Sequence, residues 1–259
     1  MITPRPPRRD PISDRHFKPL ETADSVSDLS FYVAAALSFA ALLIDNTDSP
    51  VLYALVQSLF FLAVLAGFVV GIATKLYWRP IAEDQRRADL ISNATSIAVT
   101  VLRTEGYYNN EEVDPLRRLG LIIMENSYFT RAIVLKMLYR ERIFVGGYIA
   151  LFLIALLYRK TDLALLAVAA QALFSEQVLS RWLRLEWLSA RSEKVFEQTY
   201  LVFQRPPSTE VLFAKILEIY GLYETSKANA GISLSSRIFY SNNSHLSAEW
   251  EAIKATLKL

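Results

Sequence analysis

The chain has 259 residues, 53% of them hydrophobic, and a formal net charge of only +2. That apolar fraction lies above the range of ordinary soluble domains and argues for a membrane protein. Cysteine is absent and histidine occurs only as His16 and His245, which excludes disulfides, thiolate metal sites and cysteine nucleophiles and leaves no basis for a histidine-built metal or catalytic centre.

Residues 1–24 are rich in proline and charge and predict a disordered basic tail with some attraction for anionic headgroups. Four stretches without a charged residue follow as two close pairs, Leu29 to Ile44 with Val51 to Thr74, and Ile143 to Tyr158 with Leu163 to Ser175. Each pair reads as a transmembrane hairpin. A hydrocarbon core of about 30 Å needs roughly 20 helical residues, so only the second stretch spans comfortably. The other three need flanking residues, little tilt or a thin bilayer.

Lysine and arginine set the orientation, because they are retained on the cytoplasmic side of short flanks. Arg5, Arg8, Arg9, Arg15 and Lys18 precede the first stretch, whereas the turn from Asp45 to Pro50 has none. The N-terminus is therefore expected inside. Lys75, Arg79, Arg86 and Arg87 after the second stretch, and Arg131, Lys136, Arg140 and Arg142 before the third, place the middle segment in the cytoplasm. Arg159 and Lys160 in the second turn run against the rule. Arg181, Arg184, Arg191 and Lys194 outweigh them and keep the C-terminus inside.

In the middle segment, Pro80 suits a first helical turn, and Leu90, Ile91, Ala94, Ile97, Ala98, Val101 and Leu102 recur at helical spacing. This predicts an amphipathic helix continuing from the second span and ending at Gly106. Asn109 and Asn110 fit a turn, and Asp114 with Pro115 reads as the N-cap and first turn of a second helix that faces Leu116, Leu119, Ile123 and Met124 inward. A bend is expected near Ser127 to Arg131 or Tyr139 to Arg142. Beyond Ser175 the apolar stripe continues through Trp182 and Trp187, which serve either as headgroup anchors or as packing residues. Arg205-Pro206-Pro207 ends that helix. Ser208 caps another that carries Val211, Leu212, Ile216, Leu217 and Ile219 to Gly231, and a short terminal helix is expected from about Ser247.

The predicted fold is thus an all-α membrane protein with four transmembrane helices in two hairpins. A cytoplasmic helical module lies between them and a cytoplasmic helical region follows. The divisions are 1–24, 25–78, 79–142, 143–180 and 181–259.

No phosphate-cradling glycine loop, HExxH, paired-cysteine or GxSxG motif occurs, so the chain is not read as an enzyme. Asp84, Asp89, Glu105, Glu111, Glu112 and Asp114 gather around the hairpin, where solvated turns account for them without a metal. The run Gly106-Tyr107-Tyr108-Asn109-Asn110 has two readings. With Arg86, Arg87, Arg103, Arg117, Arg118, Arg131 and Lys136 in the same segment, it supplies stacking faces, base-edge amides and phosphate charge for a nucleotide. Alternatively, the tyrosines cover the core and the asparagines make the turn. Within the apolar stretches the polar exceptions are Gln57, Gln171 and Glu176, candidates for a pore lining or gate. Glu176 has the alternative of pairing with Arg181 or with an arginine of a second subunit. Gly67, Gly71, Gly146 and Gly147 permit close helix approach.

The order RRADLISNAT (Arg86 to Thr95), GYYNN (Gly106 to Asn110), ENSYFT (Glu125 to Thr130) and KML (Lys136 to Leu138), flanked by two hairpins, resembles the S-4TM family of pore-forming effectors. The resemblance covers Leu29 to Phe203. It departs at Ser92 and at Ala94-Thr95, where an acidic residue and an aromatic are expected. It implies an anti-phage effector of the bacterial inner membrane, encoded beside a nucleotidyltransferase as in CBASS or Hailong-type systems. No cofactor is expected beyond a regulatory oligonucleotide, cyclic or linear, that opens the pore or holds it shut.

On that reading Arg87, Asn93, Arg103, Tyr107, Tyr108, Asn109, Asn110, Asn126, Arg131 and Lys136 contact the nucleotide, with Glu125 and Asn126 alternatively bracing the hairpin. Partners are the bilayer, further copies of the chain, most simply as a tetramer, and the nucleotidyltransferase through its product. No long nucleic acid is expected. A non-conducting scaffold that docks the nucleotidyltransferase, or a small transporter, are the competing readings.

Overall fold

A computed structural model describes residues 9–108, 110–158 and 162–259. Among these residues the secondary structure is helix joined by loops, without a strand. The helices are α1 (Lys18–Leu43), α2 (Pro50–Ala73), α3 (Arg79–Thr95), α4 (Pro115–Leu157), α5 (Leu163–Leu173), α6 (Arg181–Gln204), α7 (Thr209–Ala230) and α8 (Ser236–Leu257). Three π-helical turns accompany them, Ser13–Phe17, Thr74–Trp78 and Glu176–Ser180. Three helical segments are long and apolar enough to cross a membrane: Ser13–Leu43, Pro50–Thr95 and Leu163–Gln204. The third apolar stretch is not among them: within α4 it runs from Ile143 to Leu157 with Arg140, Glu141 and Arg142 directly before it, short of the roughly 20 residues a bilayer core needs.

The chain divides into two compact units. One comprises Met1–Pro19, Arg79–Met137 and Leu185–Leu259, and the other Leu20–Trp78 and Leu138–Arg184. α4 contributes residues to both.

The first unit has an aliphatic core. Leu90 and Ala94 of α3, Leu119, Ile122 and Ile123 of α4, Val195 of α6, and Leu212, Ile216, Ile219 and Tyr223 of α7 form one buried cluster. A second cluster joins Leu121 and Met124 to Phe203 and the fully buried Trp250 of α8. On α7 the buried positions Leu212, Ile216, Ile219, Tyr223, Ser226 and Ala230 recur every three or four residues, the spacing of one helix face. Gly231 then stops the helix in the left-handed conformation, φ 56° and ψ 37°, which costs glycine nothing. α4 starts as the sequence predicts, with Asp114 Oδ1 accepting from the Arg117 amide at 2.8 Å.

Four expectations fail in this unit. The segment 9–24 is ordered: Asp10 Oδ1 accepts from the Ser13 amide at 2.8 Å, Pro11 occupies the first turn, and Ile12 is buried. Leu20 and Ala23, in the second unit, are buried as well. Aspartate before proline caps this helix as it caps α4, and that signal outweighs the proline and charge content. α3 ends at Thr95 rather than Gly106. Ser96 takes φ 60°, and Ile97, Val99 and Val101 are exposed instead of lining a helix face.

The cause is a set of side chains on α3 that satisfy the backbone of the following loop. Ser92 Oγ accepts from the Val99 amide at 2.9 Å, and Asp89 accepts from the Thr104 amide at 2.9 Å and from its hydroxyl at 2.7 Å. Ile97, Val99, Thr100 and Val101 are β-branched and gain little from a helix, so these bonds win. α4 is one unbroken helix where a bend was expected. α8 begins at Ser236, eleven positions earlier than about Ser247, because Leu246 and Trp250 bury one face while Asn242 bonds back to the Ile238 carbonyl at 2.7 Å.

The second unit buries little of its apolar surface. In the best windows of the first two long segments only 6% of residues are buried. A small cluster of Val145, Leu173 and Val178 is covered by Phe31, Tyr148, Ile149, Phe152, Leu179 and Trp182, which gives Trp182 a packing role. A Cβ on Gly67 would sit 3.2 Å from Ser30 Cβ, and one on Gly71 would sit 3.6 Å from Ser27 Oγ, so these two glycines do bring α2 close to α1. Gly146 and Gly147 have nothing within 4 Å of such a Cβ. The last long segment is interrupted at Phe174-Ser175, where Ser175 is extended and restarts the helix by accepting from the Val178 amide at 3.3 Å.

Candidate functional site

The loop between α3 and α4 brings part of the sequence-derived site together. Tyr107 and Tyr108 meet edge to face with centroids 4.9 Å apart. Tyr108 packs on the aliphatic core and hydrogen-bonds to Asn126 on α4. Burial, then the Tyr107 ring and Asp89, push its hydroxyl well above the usual tyrosine range, so it stays protonated. Asn93 donates to the Asp89 carbonyl at 3.0 Å and to Thr104 Oγ1 at 3.2 Å, fixing the far end of the same loop.

The remaining candidates divide by what already holds them. Asn110 makes the turn, accepting from the Glu112 amide at 3.0 Å and donating to the Arg118 carbonyl at 3.3 Å. Asn109 lies outside the described residues. Arg87 pairs with Asp84, Arg131 donates to Glu193 of α6 at 2.8 Å, and Lys136 donates to Asn242 of α8. Arg103 is exposed and has no ion pair among the described residues. Of the other arginines in this region, Arg117 pairs with Glu112 at 2.8 Å and lies over Phe203, and Arg118 reaches Ser96 at 3.2 Å.

Sequence reasoning missed a charged cluster built from α3 and α7. Arg86 donates to Glu83 at 2.6 Å and to Glu224 at 2.5 Å, and its guanidinium lies 5.7 Å from the centre of the Tyr223 ring. Lys227 stands 3.6 Å from Glu83. Burial alone would raise the Glu83 carboxyl, but Lys227 and then Arg86 hold it down at about 2. Burial, followed by the charge of Arg86, lowers Lys227. Burial also opposes the Arg86 charge, yet Glu83, Tyr223 and Glu224 keep its pKa well above the ordinary value. The cluster ties α3, the helix that carries Asp89 and Asn93, to α7. The partners stand 138 residues apart, and the visible hint is a pair of charges three residues apart on each helix.

In the second unit Gln57 and Gln171 are exposed on their helices. Glu176 pairs with Arg184 at 3.5 Å rather than with Arg181. No group of three or more metal-ligating side chains occurs among the described residues.

Comparison with known proteins returns no matching family model, and no significant match among curated proteins or among solved structures.

Proposed function

We propose that the chain is a subunit of an oligomeric ion channel of the bacterial inner membrane, with both termini cytoplasmic and Ile143 to Tyr158 completing a fourth span in the assembly. An oligonucleotide made by a partner nucleotidyltransferase sets whether the channel conducts, and conduction arrests a phage-infected cell. The observation that carries this reading is α4, one uninterrupted helix that bears both Asn126, the partner of Tyr108, and the apolar stretch from Ile143. A ligand that reorders the tyrosine loop acts directly on a helix that enters the bilayer. One protomer has too little perimeter to enclose a water path, so the channel is an assembly, with a tetramer the simplest.

The two tyrosines divide the two roles left open by the sequence. Tyr108 covers the core, and Tyr107 is the stacking ring. Arg103 supplies phosphate charge, because Arg87 and Arg131 already pair with carboxylates and Arg118 and Lys136 are hydrogen-bonded to Ser96 and Asn242. Stacking on an aromatic side chain is worth about 1–3 kcal/mol per base, so Tyr107→Ala should weaken binding of cyclic or linear oligoadenylates by about ten- to a hundredfold. Binding is measured by calorimetry on the full chain in detergent, with ion flux in liposomes as the functional readout. Unchanged affinity in a folded Tyr107→Ala protein removes this site.

The exposed aliphatic strip Ile97, Val99 and Val101 favours a second reading, a non-conducting scaffold that docks the nucleotidyltransferase. Flux separates the two. A scaffold gives none with or without nucleotide.

A further inference from the structure

Arg181 joins three helices at one end of the second unit. Its Nη1 is hydrogen-bonded to Asp28 Oδ2 on α1, and its Nε lies 3.5 Å from Glu141 Oε1 on α4. The side chains of Arg181 and Asp28 are each 31% exposed and that of Glu141 18%, so the charges are substantially withdrawn from water. In sequence Asp28 directly precedes the first apolar stretch, Glu141 stands just before the third, and Arg181 follows the fourth. One guanidinium therefore ties the ends of three apolar segments. The two partners are unequal, because Arg181 Nε makes no hydrogen bond among the described residues and Glu141 is held by charge alone.

The backbone at this point is unusual. Arg181 is the first residue after the π-helical turn Glu176–Ser180, in which the Ser180 amide reaches the Ser175 carbonyl at 3.3 Å, a five-residue bond. The Arg181 amide likewise reaches Glu176 O. Such a turn holds one residue more than an α-turn, and these turns recur at functional positions in helices. Rewinding it to α geometry would swing the Arg181 side chain by roughly 100° about the helix axis, away from Asp28 and Glu141. The Glu176 to Arg184 pair, at 3.5 Å, brackets the same turn and resists that rewinding.

We propose that Arg181 is a latch. Paired with Asp28 and Glu141 it holds α1 and α4 in the non-conducting arrangement, and rewinding of the π-turn before it is the movement that releases them. This rests on the channel reading above and names the positioning residue of its gate.

The test uses the full chain in liposomes. Arg181→Gln should raise flux in the absence of nucleotide by about tenfold, the change expected when roughly 1.4 kcal/mol of preference for one state is lost. Asp28→Asn should do more than Glu141→Gln, and the exchanged pair Asp28→Arg with Arg181→Asp, which restores the tie to α1 but sets a carboxylate against Glu141, should bring flux part of the way back from that of Asp28→Arg alone. Wild-type flux in Arg181→Gln overturns the latch. So does flux in the exchanged pair as high as in Asp28→Arg alone, a comparison that decides the matter even where Arg181→Gln fails to assemble.

A second readout does not depend on conduction. Tyr32 on α1 and Phe144 on α4 have rings 6.2 Å apart, and the chain has no cysteine, so thiols introduced at these two positions are the only ones present. A short bismaleimide should link them efficiently with Arg181 present and several-fold less with Arg181→Gln. Unchanged linking overturns the latch. Linking that depends on Arg181 in a protein that never conducts removes the channel reading and the gating role with it, and leaves Arg181 only as a tie between α1 and α4.

Discussion

Ile122, Ile123 and Met124 in the first unit are fully buried, whereas Phe61, Leu62 and Phe68 in the second are more than 60% exposed. The side chains belong to the same apolar class, so composition does not separate the units. What separates them is where the polar groups went. The first unit surrounds its aliphatic core with charges that face one another, such as Arg86 with Glu83 and Glu224, and behaves as a water-soluble bundle would. The second unit turns its apolar side chains outward and keeps its ion pairs at the ends of the apolar stretches, as a bilayer requires, since a charge at the centre of a span is costly.

The sharpest break in the comparison is Arg86→Met. Removing the cation leaves Glu83 with Lys227 and takes from Glu224 its hydrogen-bonded partner in a desolvated site, and breaking a buried pair in this way costs about 3–5 kcal/mol. The loss should appear as faster hydrogen exchange in α3 and α7, with α2 unaffected. Acid probes the same cluster. Glu83 is held at about 2 in the folded chain against an ordinary 4.5, so its contribution is complete above pH 4.5 and disappears as pH falls toward 2. In Arg86→Met the carboxyl is held down less, so the acid loss should begin at higher pH. Exchange in α3 and α7 that matches wild type would show that the cluster carries no stability.

How much of this was legible in the sequence depended on the range of the deciding contact. Asp114-Pro115, the inward face of Leu119, Ile123 and Met124, and the span of α7 from Ser208 to Gly231 rest on neighbours within a turn or two, and all were readable. Asp10-Pro11 carries the same local signal but sits amid proline and charge that suggested disorder. The end of α3 was misread because Ile97, Val99 and Val101 satisfy an alternating pattern while Ile97, Ala98 and Val101 satisfy a helical one. The contact that decides, Asp89 with Thr104, spans fifteen residues.

The candidate site was legible as a set of residue types only. Which cations stay available depends on Glu193 and Asn242, both far along the chain. The π-turns follow no residue pattern at all.

Glycine gives a smaller test of the same contrast. A Cβ on Gly120 in α4 would lie 2.6 Å from Ile216 Cδ1 and 2.9 Å from Phe203 Cζ, so Gly120→Ala overpacks the first unit. The expected cost is about 1–3 kcal/mol, measured as a lowered unfolding midpoint in detergent. Gly147 in the same helix has nothing within 4 Å, and Gly147→Ala should leave the midpoint unchanged or raised. Equal losses at both positions would mean that the second unit is packed as tightly as the first.

The smallest expected effect is the most informative about assembly. Leu62 lies near the middle of α2 and is 62% exposed, so Leu62→Ala removes a side chain that makes few contacts within the protomer. If lipid covers it, one apolar surface replaces another and the change in stability in bilayers should stay within about 0.5 kcal/mol. A core leucine behaves differently. Leu90→Ala, at a fully buried position of α3, should cost about 2–5 kcal/mol. A loss of that size at Leu62, reversed when the protein is diluted to monomers in detergent, would mean that a second copy rather than lipid covers this face of α2. The exposed apolar surface of the second unit would then be divided between lipid and subunit contacts, and scanning neighbouring positions such as Leu55, Leu65 and Phe68 in the same way would trace the border between them.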